Sequence, residues 1–68
     1  MNIKYFRDTD TALLELSERD IDETREVSPN VYLDLDKDGE VVSITIEQAA
    51  KLASFPQVQV EQIDAGSV

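Results

Sequence analysis

VYLDLDKDGEVVSITI, residues 31–46, is two alternating apolar runs on either side of Asp38-Gly39, the kind of dipeptide that most strongly marks a tight β-hairpin. With Asp38 and Gly39 alone as the loop, Lys37 opposes Glu40, and Leu35, Leu33 and Val31 oppose Val42, Ile44 and Ile46. Each core residue of one strand then meets a core residue of the other. A slip of one residue would send one set to the opposite face, so turn chemistry and hydrophobic pattern specify the same register. In that register Asp34 and Asp36 project from the outer, solvated face about 7 Å apart.

Working outward, residues 3–6 alternate as a short strand with Ile3 and Tyr5 inward, and residues 7–11 read as a polar loop. Residues 12–16 form a second strand with Ala12, Leu14 and Leu16 on one face and Leu13 on the other. Leu13 and Tyr32 thus share the outer face, where an apolar patch would offer a docking point for a second subunit. Residues 23–27 are mostly charged, which as a strand means a solvated edge that resists unwanted strand addition. Ser28-Pro29-Asn30 is a turn, with proline fixing φ and asparagine tolerating the left-handed region.

Past the hairpin, Thr45 and Gln48 have the spacing of a capping box, and residues 46–54 read as a short helix with Ile46, Ala49, Leu52 and Ala53 on its apolar side. Phe55-Pro56 ends it, because a residue before proline avoids the helical region. Residues 57–68 alternate through Val58 and Val60 and fray from Asp64 onward; they read as a further strand or as a segment ordered by a partner. The fold class is therefore α+β: a small antiparallel β-meander of four or five strands with one short helix packed on it. Residues 1–54 form the single domain and residues 55–68 a tail.

Sixty-eight residues bury a modest share of their surface and leave little stability to spare, which favours association with a second copy or a partner. There is no cysteine and no histidine, which removes disulfides, thiolate nucleophiles, cysteine-based zinc sites and the commonest general base. The longest apolar runs are a few residues and the N-terminus is patterned as a strand without a leader-like segment, so the expectation is a cytoplasmic protein that does not enter the membrane. Fifteen Asp and Glu against six Lys and Arg give a net charge of −9. That field opposes direct nucleic-acid binding, whose affinity comes from basic side chains; it serves solubility, and it attracts a basic protein.

Asp34, Asp36 and Asp38 followed by Gly39 match the opening of an EF-hand loop. The match fails at the twelfth position, Thr45, where a bidentate glutamate is needed, so the reading assigns no metal and no cofactor. The serines lack an activating histidine or a nucleophile-elbow context, and two glycines cannot build a phosphate cradle. No carboxylate pair stands in a recognisable motif, so the expectation is a protein that is not an enzyme.

The ordered signals Ile3-Lys4-Tyr5, Asp10, Leu14-Glu15-Leu16, Glu26, Pro29-Asn30-Val31, Asp34-Leu35-Asp36, Gly39, Val41-Val42-Ser43-Ile44-Thr45-Ile46 and Ala49 resemble the small prokaryotic family known as domain of unknown function 2283. The chain departs from the family's usual Leu-Tyr pair at Ala12-Leu13, its glycines at Asn30 and Ser43, and its glutamate at Thr45. The resemblance implies a compact β-rich domain of bacterial or archaeal origin with no assigned activity.

The functional expectation is a non-catalytic protein-binding module, the acidic antitoxin-like member of a two-protein system, with Leu13, Tyr32, Asp34 and Asp36 as partner-binding residues. It would be a homo-oligomer with a possible basic protein partner. Two alternatives differ in class: a self-assembling structural module joined through Leu13, Tyr32 or the tail, and an acidic nucleic-acid mimic presenting Asp20, Asp22, Glu26, Asp34 and Asp36 on one surface.

Overall fold

In the computed structural model, which describes residues 1–64 and Gly66, alternation becomes five strands: β1 (Asn2–Phe6), β2 (Thr11–Glu15), β3 (Glu23–Ser28), β4 (Val31–Leu35) and β5 (Val41–Glu47), followed by one helix, α1 (Ala49–Ala53). All pairings are antiparallel, in the order β1-β2-β5-β4-β3. The arrangement is the expected small α+β meander, with residues 16–22 crossing from β2 to the far edge. The charged strand β3 is that edge, and all six of its residues are exposed. It turns into β4 through Pro29 and Asn30, with Asn30 at φ 70.

The hairpin forms with a longer loop than the expected two residues. The Gly39 N–H donates to the Asp36 carbonyl (3.0 Å) and the Asp36 N–H to the Glu40 carbonyl (2.9 Å), so Lys37, Asp38 and Gly39 make a three-residue reversal. Gly39 takes the left-handed position at φ 81, as such loops require. Pairing is thereby displaced by one residue near the turn: Leu35 faces Val41 instead of Val42. The register then shifts between Asp34 and Leu35, after which Asp34 faces Ser43, Leu33 faces Ile44 and Val31 faces Ile46. Val42 is the extra residue, a bulge that absorbs the displacement and returns the apolar set to one side.

That side is built of rows across the strands. Ile3, Leu14, Ile44 and Leu33 form one row, and Tyr5, Ala12, Ile46 and Val31 the next. Among the described residues the buried apolar side chains are Ala12, Leu35, Val42 and Ala49; Ile3, Leu14, Leu33, Ile44 and Ile46 are half-buried. Among the described residues no second sheet covers them. The accessible surface is 5360 Å², against about 4,300 Å² for a compact chain of this mass. The radius of gyration is 13.9 Å, where about 11 Å is ordinary. The tail adds to both excesses: residues 57–64 form no strand, and Val58, Val60 and Ile63 lie exposed. Residues 65, 67 and 68, part of the segment expected to fray, lie outside the described residues.

The helix is shorter than expected and is capped differently. Thr45 and Ile46 remain in β5, because that strand is paired on both sides as far as Glu47, whose partners are Thr11 and the Asn30 carbonyl. No capping box forms; Gln48 is the N-cap, at φ 54, without a side-chain bond. Asp10, in the β1–β2 turn, supplies the acceptors instead. Its carbonyl takes the Ala49 N–H (2.9 Å), and its Oδ1 takes the Ala50 N–H (3.0 Å) and the Tyr5 hydroxyl (2.6 Å). That hydroxyl is raised above the ordinary phenol range, chiefly by its hydrogen bond to Asp10. Phe55 then stacks on Tyr5, ring centroids 6.0 Å apart. Ala49 is buried while Leu52 is half in water, 51% exposed, so the apolar side expected of a longer helix does not assemble.

Two substitutions test this account. Gly39→Ala meets nothing within 4 Å, so its cost is backbone strain alone, about 1–2 kcal/mol by urea unfolding. Asp10→Ala is expected to cost about 1–2 kcal/mol through the lost cap, and in an ultraviolet titration to return one of the two tyrosines toward the ordinary phenol value. The other, Tyr32, is raised mainly by the charge of Glu47 and should not move.

Candidate functional site

The aspartates expected in water, Asp34 and Asp36, are each only 8% exposed. Asp34 lies on the face opposite the apolar rows, between a hydroxyl residue on either neighbouring strand. Thr24 of β3 donates to its Oδ1 (2.7 Å) and Ser43 of β5 to its Oδ2 (2.6 Å). Burial is tolerable because each carboxylate oxygen has a donor. Ser43 is itself 4% exposed, so this hydroxyl–carboxylate pair ties three strands together and has no approach for a substrate.

Asp36 opens the turn. Its Oδ1 accepts the N–H groups of Asp38 and Glu40, both at 2.9 Å, and its Oδ2 meets the Arg19 guanidinium at 3.1 Å. These contacts hold its carboxyl below the usual range, the Glu40 N–H foremost and the Asp38 N–H and Arg19 after it, against the opposing effect of burial. Arg19 also donates to the Ser17 hydroxyl (3.2 Å) and the Val41 carbonyl (3.4 Å), fastening the crossover segment to the hairpin. Asp38 stays exposed. Asp34 and Asp36 therefore point their acceptors at different protein donors, and among the described residues no group of three His, Cys, Asp or Glu is arranged to hold a metal ion.

Leu13 and Tyr32 do share the outer face, in the row Lys4, Leu13, Thr45, Tyr32, Glu26. Thr45 separates them by a strand, so no continuous apolar patch forms, and the Tyr32 hydroxyl donates to Glu47 (3.3 Å). The acids set out for a nucleic-acid mimic do not form a single exposed surface either, since Asp34 and Asp36 are buried.

A predominantly acidic surface does exist at the hairpin end. The crossover segment and the turn enclose an open cleft of about 530 Å³. Glu18, Asp20, Asp22 and Asp38 line it with Ile21, all exposed; Glu40 stands beside the turn. Lys37 is also in its wall, and Arg19 is engaged with Asp36. Strand periodicity gives no sign of this cleft; the signal in residues 17–22 is Arg19, a lone base within a run of acids.

Because the Asp36 carboxyl is lowered in the folded protein, the unfolded chain takes up its proton first as pH falls. The stability from this group is present above the ordinary carboxylate value and is lost as pH falls from about 4 through the folded value. Asp36→Asn is expected to flatten the acid limb of a stability–pH profile. Arg19→Met should retain most of the slope, since the leading cause is a backbone N–H.

No helix among the described residues is long and apolar enough to cross a membrane. No curated protein and no solved structure matches the chain. A family model does, over residues 2–49, a span that takes in all five strands and the first helical residue. On that match, the chain belongs to the family described as protein of unknown function DUF2283.

Proposed function

We propose that this protein is a non-catalytic protein-binding module, the acidic antitoxin-like member of a two-protein system in the cytoplasm, and that it receives a basic partner at its hairpin end. The observation that carries the reading is the concentration of Glu18, Asp20, Asp22 and Asp38 around the cleft, exposed, with Lys37 beside them and Arg19 already committed to Asp36. An exposed Ile21 among them gives an arriving arginine or lysine an apolar surface for its stem as well as carboxylates for its head. The hairpin and the segment fastened to it by Arg19 present these acids on a fixed frame, which limits the ordering that binding would require. Asp34 and Asp36, spent on internal hydrogen bonds, support the frame and do not contact the partner.

Affinity capture from the native organism at low salt, with mass spectrometry of what is retained, tests this. The expected result is a basic protein whose retention weakens steeply as salt rises and the screening length falls from about 10 Å at 0.1 M to about 3 Å at 1 M. Replacing Asp20, Asp22 and Asp38 together by lysine should weaken the complex tenfold or more, roughly the 1.4 kcal/mol or more expected when like charges are juxtaposed. Retention indifferent to salt, or undiminished in the lysine variant, would remove the basis of the proposal.

A further inference from the structure

We infer that the apolar face of the sheet is the interface between two copies of this chain. In β1, β2, β5 and β4 every charged side chain, Lys4, Glu15, Glu47 and Asp34, belongs to rows on the opposite face. The facing rows, Ile3, Leu14, Ile44, Leu33 and Tyr5, Ala12, Ile46, Val31, contain no charge. At the β3 edge Arg25 and Glu23 pair with each other at 3.1 Å and so nearly cancel. A chain of net charge −9 therefore has a neutral surface on which an equally acidic copy meets no repulsion. A basic partner would find there only Glu23 of the edge pair and, beside Tyr5, Asp10, whose Oδ1 already accepts the Tyr5 hydroxyl and the Ala50 N–H, which is why the second copy is the occupant and the basic protein is not.

Symmetry agrees, and apart from the buried Ala12 the residues of the two facing rows are only half-buried in the single chain. β5 is the middle strand of five, with two strands on either side, so a two-fold axis through it superposes sheets of equal width. Two stacked sheets about 10 Å apart are the ordinary way for an open β layer to cover its apolar side. Phe55, stacked on Tyr5 at one end of the face, would border the contact.

Sedimentation equilibrium of the wild-type chain is expected to give twice the chain mass of 7.6 kDa. On dilution through the dissociation range, the methyl NMR signals of Leu14, Leu33 and Ile44 should shift while those of Leu13 and Thr45 stay. Ile44→Glu should raise the dimer dissociation constant about thirtyfold or more, and Thr45→Glu, its neighbour on the opposite face, should leave it nearly unchanged. If Ile44→Glu fails to fold, the wild-type mass and methyl map still decide. A folded monomer of 7.6 kDa at about 100 μM, where even a weak specific dimer would form, overturns the inference. So does a dimer whose dilution moves Leu13 in place of Leu33, or one that Ile44→Glu leaves as tight as before.

Discussion

A strand that slips by one residue turns its whole apolar set to the other side of the sheet, and the three-residue reversal after Asp36 imposes such a slip on β4 and β5. The extra residue Val42 takes it up within two positions of the turn. Because of that accommodation Leu33 lies opposite Ile44 and Val31 opposite Ile46. The rows then extend through β2 to Ile3 and Tyr5 in β1. The same bulge leaves Asp34 opposite Ser43, where the hydroxyl can reach it. One local irregularity thus fixes both the apolar face and the buried carboxylate behind it.

Three acids that seem interchangeable in the sequence end in different physical situations. The Asp34 carboxylate is held by two hydroxyls, that of Asp36 by two backbone N–H groups and a guanidinium, and that of Asp10 by one helix N–H and a phenol. In each case the carboxylate is an acceptor that joins separate parts of the chain, which is how a small layer with few buried apolar side chains secures its joints. The remaining exposed acids at the hairpin end have no such task and are available to another molecule.

Much of the architecture was legible because its signals are local. Period-two alternation marked the strands, the charged composition marked β3 as an edge, and Pro29-Asn30 and Gly39 marked backbone reversals that φ values of 70 and 81 bear out. What escaped was non-local. Thr45 and Gln48 fit a cap by spacing, yet β5 is paired on both sides there, and the true cap comes from Asp10, about 40 residues earlier. The burial of Asp34 depends on Thr24 and Ser43, and that of Asp36 on the turn's own N–H groups and Arg19. Alternation assigns a residue to a face but does not say whether its neighbours there bring hydrogen-bond donors. Ser43 and Asn30, where the family usually carries glycine, have separate explanations here: a donor to Asp34 in one case, a left-handed turn in the other.

The sheet is two locally connected pieces, β1 with β2 and β3 through β5, and a single ladder between β2 and β5 joins them across some thirty residues of chain. Pairings within each piece close short loops, whereas the joining ladder must first overcome the entropy of a long one. That ladder is therefore the seam of the sheet, the pairing that carries its largest loop-closure cost. Asp10 lies across it, leaving the β1–β2 turn to grip the chain just after β5, and so works as a buckle on the seam as well as the cap of a helix.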